Sequence, residues 1–331
     1  MRAKLSKILV TGGAGFIGSA FARLAVKRGY KIVIVDKLTY AGDLARLKEI
    51  AGKYHFYPVD ICSKNKIARI FAKEKPDIVV HFAAESHVDR SIIDSSPFIE
   101  TNIKGTKTLL DLSLELKIPR FIQTSTDEVY GDIEKGSFWE DSPLKPNSPY
   151  AASKAAADLL VKSYIRTFHF PAIIVRPSNN YGPWQYPEKF IPLAVLKVLR
   201  NEKIPVYGKG KNVREWLYVD DCVEAILKVL EKGRIGEVYN IGSNQERQNI
   251  EVAGTLLKIL NADKKLIGFV KDRPGHDIRY RLNCQKIRRE IGWRPRINFD
   301  EGIRRTVYWC IEHKGWLFSK WANIARVYKN R

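Results

Sequence analysis

The stretch Lys7-Ile-Leu-Val-Thr-Gly-Gly-Ala-Gly-Phe-Ile-Gly18 decides the fold of this 331-residue chain. Its apolar beginning predicts a short buried parallel strand, and an apolar helix is predicted from Phe16 to Ala25. Gly12, Gly15 and Gly18 allow a tight turn, close approach of the backbone to a diphosphate, and close packing of helix on strand. Free N–H groups at the start of a helix attract phosphate. The stretch therefore predicts a dinucleotide-binding turn.

The next predicted strand, Lys31-Ile-Val-Ile-Val35, ends at an acidic residue, Asp36. A carboxylate at this position accepts a hydrogen bond from a ribose 2′-hydroxyl and repels a 2′-phosphate. We therefore predict NAD rather than NADP as the cofactor, with the neighbouring Lys37 softening the repulsion. The alternative interpretation is a glycine-rich turn followed by a solvated aspartate.

Strands and helices alternate along most of the chain. Further strands are predicted at 55–59, 77–81, 120–124, 172–176 and 237–241, and helices at 64–73, 97–116, 150–167 and 219–232. This alternation predicts an α/β fold, a Rossmann-type doubly wound parallel sheet with a smaller C-terminal substrate-binding lobe. The cofactor-binding domain is predicted to comprise residues 1–180 plus about 214–244, and the lobe about 181–213 plus 245–331.

Composition indicates a globular enzyme: 45% of the residues are hydrophobic and 28% are charged. No apolar run approaches the ~20 residues that a membrane helix needs, so we expect no membrane association. The first strand and glycine turn come too early for a signal peptide. The four cysteines are scattered, without metal-type spacing. We therefore expect reduced thiols, no metal and a cytoplasmic location.

The chain is strongly basic, with 57 Lys and Arg against 36 acidic residues and a net charge of +21. Nucleic-acid binding is one interpretation. In the C-terminal part, however, the charges alternate with apolar residues at roughly helical spacing, as on the solvated faces of packed helices. These apolar residues are Ile287, Ile291, Trp293, Ile303, Val307 and Trp309. We therefore expect no nucleic-acid partner, and note that a basic field also attracts a nucleotide diphosphate.

Two short segments carry the candidate chemistry. Thr126, Asp127 and Glu128 follow the predicted strand 120–124, and Tyr150 and Lys154 stand one turn apart at the start of a predicted helix. Together they offer a hydroxyl donor, a general acid and candidate bases. Ligands of such sheets bind beyond the carboxyl ends of the strands, so we expect these residues to converge on one cleft. The alternatives are a solvated turn at Asp127 and Glu128 and a surface i,i+4 pair of Tyr150 and Lys154.

With these motifs the chain resembles the extended short-chain dehydrogenase/reductases, and among them the 4,6-dehydratases of dTDP-glucose, over nearly its whole length. The matching segments are Thr11–Ala20, Asp36–Gly42, Ala83–Ser91, Ser125–Gly131, Tyr150–Lys154, Ser178–Pro183, Arg214–Val219 and Arg273–Asp277. The glycine turn and the Tyr-x-x-x-Lys pattern specify only the superfamily. The Thr126–Glu128 triplet and Arg273–Asp277 are more specific.

The resemblance implies an NAD-dependent lyase with an internal redox cycle. Tyr150 takes the proton of the sugar C4 hydroxyl as C4 is oxidised by bound NAD, and Lys154 favours its phenolate. Thr126 orients the C4 oxygen. Glu128 then removes the C5 proton, Asp127 protonates the departing C6 hydroxyl, and hydride returns to C6. The product is dTDP-4-keto-6-deoxyglucose, an intermediate for deoxysugar biosynthesis.

The resemblance also implies which residues bind the ligands. The cofactor residues are Gly12, Gly15, Phe16, Ile17, Gly18, Asp36, Lys37, Thr39, Asp60, Ile61, Ala83, Ala84, Ser86, Thr101, Tyr150, Lys154 and Asn180. The residues for the nucleotide-sugar, dTDP-glucose, are Ser86, Thr126, Asn179, Lys189, Phe190, Pro205, Tyr207, Arg214, Asn249, His276 and Tyr280. By analogy we expect a homodimer through a four-helix interface formed by Leu109, Leu110, Leu114, Ala155, Leu159 and Val161, with burial inside the monomer as the alternative.

Two other functions remain open on the sequence. A nucleotide-sugar 4-epimerase or decarboxylase of the same fold would keep Tyr150 and Lys154 without needing the acid–base pair at 127–128. An NAD-bound sensor or an RNA-binding protein would show no turnover.

Overall fold

A computed structural model of the chain describes residues 6–328. The strands of this range are β1 (Lys7–Thr11), β2 (Lys31–Val35), β3 (Tyr54–Tyr57), β4 (Ile78–His81), β5 (Phe121–Thr124), β6 (Ala172–Pro177), β7 (Asn179–Tyr181), β8 (Ile204–Tyr207), β9 (Val213–Tyr218), β10 (Val238–Ile241), β11 (Glu246–Gln248) and β12 (Ile267–Val270).

The helices of the same range are α1 (Phe16–Lys27), α2 (Lys64–Glu74), α3 (Val88–Ile93), α4 (Ser96–Phe98), α5 (Thr106–Glu115), α6 (Pro149–Phe168), α7 (Phe190–Leu199), α8 (Val219–Lys232), α9 (Asn249–Ile259), α10 (Gln285–Ile291), α11 (Phe299–Glu312), α12 (Lys314–Ser319) and α13 (Trp321–Tyr328). Short 3₁₀ turns span Leu44–Ile50, Asp127–Tyr130 and Lys264–Leu266, and a π-helical segment spans Ile99–Gly105.

Seven strands form one sheet in the order β10-β6-β5-β4-β1-β2-β3, and every neighbouring pair is parallel. All seven are predicted strands, so the predicted parallel sheet is confirmed. The order reverses between β1 and β4, which leaves a crevice beyond the carboxyl ends of these two strands. The glycine turn after β1 lies at this crevice.

The sheet is covered on both faces because its strands are apolar on both sides. On β1, Ile8 and Val10 belong to a core shared with α1 and α8, while Leu9 faces a second core with α2 and α5. All three side chains are fully buried. Because side chains alternate between the two faces of a strand, β1 contributes to two cores, as expected for a doubly wound sheet.

A third core lies between two small sheets and three helices. The small sheets have the orders β11-β9-β7 and β12-β8, and the core includes Leu193 of α7, Leu256 of α9 and Ile303 of α11. Strand β9, at the start of the segment predicted for the cofactor domain, pairs with β7 and β11, whereas α8 after it packs on α1. The division into two domains stays a prediction.

The predicted helix 97–116 is not continuous. It is divided into α4, the π-helical segment and α5. The Asn102 side chain in the π-helical segment accepts from the Glu85 N–H at 2.9 Å and donates to the Glu85 carbonyl at 3.0 Å. These bonds tie the wider turn to the loop after β4. A hydrophobic period near 3.6 does not reveal one extra residue in a turn, so the sequence predicted a regular helix.

The predicted dimer interface is wrong for several of its residues. Leu109, Leu110 and Val161 are fully buried inside the monomer, in the core beneath α5 and α6. Ala155 is also buried, against the opposite core. Of the six residues, Leu159 is the large side chain that α6 exposes, with 57% of its surface accessible.

The cysteines Cys62, Cys222, Cys284 and Cys310 are free thiols. Between residues 6 and 328 no helix is both long and apolar enough to span a membrane.

Candidate active site

The turn after β1 has a shape that only glycine allows at two positions. Gly12 has φ +68°, and a Cβ there would lie 2.6 Å from the backbone nitrogen of Ala83. A Cβ at Gly18 would lie 2.2 Å from the Gly12 carbonyl oxygen. Helix α1 then begins without a side-chain cap on its first N–H groups. This cradle of uncapped donors beside a close backbone crossing fits a diphosphate.

The end of β2 fits the adenosine half of a dinucleotide. The Asp36 carboxylate accepts from the Ala14 N–H at 3.0 Å and the Leu38 N–H at 2.8 Å, which fixes it beside the glycine turn. The Lys37 ammonium lies 3.4 Å from the Asp60 carboxylate and donates to the Thr101 hydroxyl at 3.3 Å. Its charge is therefore partly compensated, and the repulsion of a 2′-phosphate by Asp36 remains effective.

The 3₁₀ turn after β5 presents the two carboxyl groups. Thr126 caps this turn by accepting from the Glu128 N–H at 3.3 Å, and its hydroxyl donates to Asp127 Oδ1 at 3.2 Å. Asp127 is buried, whereas Glu128 is half-buried and faces the cleft. Oδ2 of Asp127 is buried without a hydrogen-bond partner among the described residues.

The two carboxyl groups differ electrostatically. Burial raises the pKa of Asp127 well above its ordinary value, and the neighbouring Glu128 raises it further. Burial also raises the pKa of Glu128, but the cations Arg273 and Lys189 oppose that shift. Of the two, Asp127 therefore holds a proton more strongly and Glu128 ionises more readily. The pair is suited to deliver a proton at one site and remove one at the other.

Helix α6 brings Tyr150 and Lys154 to the same cleft. Ser148 caps the helix by accepting from the Ala151 N–H at 3.1 Å, so Tyr150 lies in the first turn. The Lys154 ammonium donates to the Thr124 carbonyl at 2.7 Å, which joins α6 to the end of β5. Burial lowers the pKa of Lys154 to about 8, and Asp158 one turn further along opposes this shift.

The pKa of Tyr150 is dominated by burial and not by the expected effect of Lys154. Burial raises the pKa of Tyr150 and the negative charge of Glu128 adds to the effect, while a hydrogen bond with Thr126 opposes it. The Lys154 ammonium instead donates its hydrogen bond to the Thr124 carbonyl. Burial thus favours the protonated phenol, and a base role for Tyr150 requires additional positive charge in the cleft.

A second cavity continues from the carboxyl pair and is lined by three cations, Lys189, Arg214 and Arg273. Arg214 is buried, donates to the Asp277 carbonyl at 3.0 Å and lies over the Tyr280 ring at 4.4 Å. Arg273 lies 3.5 Å from the Asp89 carboxylate. Clustered cations of this kind suit a ligand with two phosphates.

His276 lines this cavity with a neutral imidazole ring. Its Nδ1 lies 2.6 Å from the Asp272 carboxylate. Burial lowers the pKa of His276 to about 4 and Arg273 lowers it as well, against the opposing effect of Asp272. At neutral pH the ring can therefore donate or accept a hydrogen bond without carrying charge.

The structure places all predicted site residues around three adjoining cavities. The adenosine-side cavity is lined by Asp36, Lys37, Thr39, Asp60, Ile61, Ala83 and Thr101 together with Gly12, Gly15 and Ala84. The central cavity is lined by Gly12, Gly15, Phe16, Ile17, Gly18, Ala84, Ser86, Thr126, Asp127, Glu128, Tyr150, Lys154, Asn179, Asn180 and Lys189. The cationic cavity is lined by Glu128, Asn179, Lys189, Phe190, Pro205, Tyr207, Arg214, Asn249, His276 and Tyr280.

Several lining residues were not predicted from the sequence, and Arg46 is the most consequential of them. Its buried guanidinium donates to the backbone carbonyls of Ala14, Ala41 and Trp184 at 2.9, 2.6 and 3.0 Å. These carbonyls belong to the glycine turn, the loop after β2 and the loop after β7, so one side chain joins three walls of the central cavity. No motif marks Arg46. Arg273 is the first residue of the Arg273–Asp277 motif, so its position in that motif could have identified it as a phosphate-binding candidate.

The fold and the site define an extended short-chain dehydrogenase/reductase. The family of GDP-mannose 4,6 dehydratase matches residues 9–306. The dTDP-glucose 4,6-dehydratase of Neisseria meningitidis is 46% identical, with 97% of this chain and 96% of that protein covered. The Escherichia coli enzyme of the same name is 47% identical, at 94% and 95% coverage. The chain belongs to the dTDP-glucose 4,6-dehydratase family.

Solved structures agree with this placement. DesIV, a dTDP-glucose 4,6-dehydratase from Streptomyces venezuelae solved with NAD and TYD bound, is 47% identical with a TM-score of 0.93, covering 95% of this chain and 99% of that chain. A UDP-glucose 4-epimerase from Thermotoga maritima solved with UDP-glucose has a TM-score of 0.88 at 31% identity, covering 93% and 99%. The fold is thus shared with epimerases, and sequence identity separates the two activities.

Proposed function

We propose that this chain removes water from dTDP-glucose to give dTDP-4-keto-6-deoxyglucose, with NAD as a bound catalyst. The observation that carries this proposal is the placement of Asp127 and Glu128 in the same cavity as Tyr150 and Lys154. The pKa of Asp127 is raised more strongly than that of Glu128, which suits the two carboxyl groups to different roles. A dehydrogenase needs only the second pair. Elimination needs both.

The residues present fit NAD. The glycine turn and the start of α1 would hold its diphosphate, Asp36 its adenosine ribose, and Lys154 its nicotinamide ribose. When bound, NAD+ would supply the reversible oxidation of the sugar, with a hydride removed from C4 and returned to C6, and its nicotinamide ring would add a positive charge to the cleft. Close relatives are solved with NAD bound, which supports this assignment.

Tyr150, Lys154 and Thr126 would act on C4. Tyr150 takes the proton of the C4 hydroxyl as a phenolate and becomes a phenol, and Lys154 stabilises that phenolate beforehand because it remains cationic below pH about 8. The Thr126 hydroxyl donates to the C4 oxygen and keeps it in register. The Lys154 bond to the Thr124 carbonyl fixes the ammonium for this purpose.

Glu128 and Asp127 would then eliminate water. The C4 ketone acidifies the adjacent C5 hydrogen, and Glu128 removes it as a carboxylate favoured by Arg273 and Lys189. Asp127, protonated because it is buried, delivers its proton to the departing C6 hydroxyl. Two neighbouring carboxyl groups in different protonation states are what this step requires.

The cationic cavity would bind the nucleotide diphosphate. Lys189, Arg214 and Arg273 face the phosphates, while Pro205 and Tyr207 lie where the base would stack. Asn249, His276 and Tyr280 complete the wall. The thymidine nucleotide is proposed from the relatives, whose names specify dTDP-glucose.

Product analysis tests the proposal directly. The purified protein is incubated with dTDP-, UDP- and GDP-hexoses, and the products are weighed by mass spectrometry. We expect loss of one water from dTDP-glucose. A product that keeps the mass of the substrate, with dTDP-galactose accumulating, would instead identify the 4-epimerase alternative. Absence of turnover combined with salt-sensitive RNA binding would identify the non-enzymatic alternative.

A homodimer is proposed for the assembly. The face formed by α3, the π-helical segment and α6 exposes Ile93, Ile99 and Leu159, with 69, 53 and 57% of their surfaces accessible. Helix α3 and the π-helical segment both pack against α6. Sedimentation of Leu159→Glu against wild type tests the interface: dissociation supports it, and an unchanged mass contradicts it.

The cytoplasm is proposed as the compartment. Its support is chemical: four cysteines occur as free thiols, which persist in a reducing environment. Fractionation of the producing cells, with the protein followed by antibody, tests this location.

A further inference from the structure

Arg176, near the end of β6, is a fully buried cation that contacts elements from both halves of the candidate active site. Its Nε donates to Asp158 Oδ2 at 2.9 Å, and Asp158 lies on α6 one turn beyond Lys154. Its Nη1 donates to the Tyr130 hydroxyl at 2.7 Å. Tyr130 ends the 3₁₀ turn that carries Asp127 and Glu128. One guanidinium therefore joins the helix of the redox pair to the turn of the elimination pair.

The contact to the turn is reinforced from its other side. The guanidinium carbon lies 4.7 Å from the centre of the Tyr130 ring, which stacks on Phe138 with ring centres 4.9 Å apart. The Tyr130 hydroxyl in turn donates to Asn240 on β10 at 2.8 Å. Tyr130 is 1% exposed. Its position is thus fixed by bonds and packing that converge on Arg176.

Stability alone is a poor explanation for this buried pair. Nη2 of Arg176 and Oδ1 of Asp158 are buried without hydrogen-bond partners among residues 6–328. Moving two charges out of water is costly, and apolar side chains of similar volume are often as good or better for stability. What an ion pair with directed hydrogen bonds adds is a defined geometry between the elements it connects.

We propose that Arg176 is a positioning residue that holds the turn of Asp127 and Glu128 in register with Tyr150 and Lys154. This inference rests on the proposed function, in which the two pairs act in succession on adjacent sugar carbons. The substrate cannot move between the steps, so both pairs must be aligned at once. A misplacement of about 1 Å in such a site can lower the rate about 100-fold.

Tyr130→Phe tests the proposal because it cuts the link to the turn and leaves the buried ion pair intact. We expect the first-turnover oxidation at C4, read from nicotinamide absorbance, to stay within about 3-fold of wild type. Product formation and deuterium uptake at C5 from D2O should fall about 10-fold or more. Reduced cofactor should therefore accumulate in the variant. Equal slowing of both steps, or no slowing of either, would overturn the proposal.

Tyr239→Phe is the matched control. Tyr239 lies on β10, is also fully buried, and donates its hydroxyl to Glu290 at 3.0 Å, away from the catalytic turn and α6. Both substitutions remove one phenolic oxygen from a buried tyrosine. Both variants are compared by urea denaturation, and only Tyr130→Phe should change the ratio of the two steps.

A double variant addresses the ion pair itself. Arg176→Met alone would leave Asp158 as an uncompensated buried charge, so it is combined with Asp158→Leu. We expect a folded protein that binds NAD, as measured by ligand-induced stabilisation, but has the elimination defect of Tyr130→Phe. A double variant with wild-type partitioning would overturn the positioning role. Wild-type enzyme assayed in parallel decides the proposed function separately, since only its failure to dehydrate dTDP-glucose contradicts that function.

Discussion

Adjacent carboxyl groups at Asp127 and Glu128 differ because their neighbours differ, although the side chains are chemically alike. Asp127 is enclosed by protein and has Glu128 and Glu215 as its charged neighbours of like sign. Glu128 faces the cleft, where Arg273 and Lys189 favour its ionised form. These different surroundings assign the acid role to Asp127 and the base role to Glu128.

Glu128→Gln should separate the two halves of the reaction. Without the carboxylate we expect C4 oxidation to persist, while C5 exchange with D2O falls by about 100-fold or more, the usual worth of a general base. Mass spectrometry of recovered sugar and nicotinamide absorbance measure the two steps. Glu134→Gln, the same change at an exposed neighbouring loop residue, is the control. Exchange at the wild-type rate in Glu128→Gln would show that another residue is the base.

The pH profile should report Lys154. Its pKa is lowered to about 8, so the ammonium is present below that pH and is lost as the pH rises. The groups around it are Asp158 and Tyr150 on α6, the carbonyl of Thr124 on β5, and His81 on β4, whose pKa of about 3 leaves it neutral. We therefore expect kcat/KM to decline above pH about 8 as the pair loses its cation.

The matched control for this limb is Lys162→Met, which removes a lysine two turns further along α6 that does not line the cavities. It should leave the alkaline decline in place, whereas Lys154→Met should lower the rate and abolish the decline. A profile that stays flat to pH about 10 in wild type would contradict the role of Lys154.

Residue identities in the site were predictable where a motif carries them and not where packing does. Gly12, Asp36 and Tyr150 follow from local pattern, because each acts at the end of a predicted strand or the start of a predicted helix. Arg46 and Arg176 act through partners 138 and 46 residues away, respectively, in Trp184 and Tyr130. No local pattern encodes such a distance, so these two required the structure.

At the scale of elements, the turn between β1 and α1 is the most constrained connection. Gly12→Ala would place a methyl group 2.6 Å from the Ala83 nitrogen at a φ of +68°, so the turn must shift. We expect NAD affinity to fall at least about 10-fold and the free energy of unfolding to fall by about 1–3 kcal/mol. Calorimetric titration with NAD and urea denaturation measure the two effects.

Gly254→Ala on α9 is the control for this variant. A Cβ there meets nothing within 4 Å, and the residue lies inside a helix. Alanine should raise stability by up to about 1 kcal/mol, with NAD affinity unchanged. If Gly12→Ala behaved like Gly254→Ala, the turn would not be the cofactor cradle.

The elements themselves were predictable to differing degrees. The seven strands of the main sheet were predicted because short, mostly apolar segments, such as residues 32–35 and 172–175, leave few alternatives to buried parallel strands. Strands β7 and β11 have three residues each and no fully apolar run. Their pairing with β9 depends on tertiary contacts, and a sequence pattern of three residues cannot specify it.

For the whole molecule, cofactor binding should be visible as stability. A ligand that binds only the folded state stabilises it by about 2.7 kcal/mol at a concentration of 100 Kd. We expect saturating NAD to raise the Tm of stripped protein by about 5 °C, and removal of NAD to reverse the change. Differential scanning fluorimetry measures it. NADP at the same concentration should have a smaller effect because Asp36 repels its extra phosphate.

The side of the molecule proposed to meet a second copy was the least predictable feature. Leu109 and Leu110 look like interface residues in a helical pattern, yet the sheet beneath α5 buries them. A helix in a doubly wound fold packs one apolar stripe against the sheet. The sequence pattern does not show whether a given apolar residue belongs to that stripe or remains exposed. The position of the helix on the sheet decides this.

The bonds of Arg46 have a kinetic consequence. Because its guanidinium bonds to the glycine turn, the loop after β2 and the loop after β7, these three walls of the central cavity cannot separate without breaking its bonds. We therefore expect the cofactor to remain resident over many catalytic cycles. A reaction that restores its oxidant in every cycle on a resident cofactor would be insulated from the balance of oxidised and reduced nicotinamide in the cell.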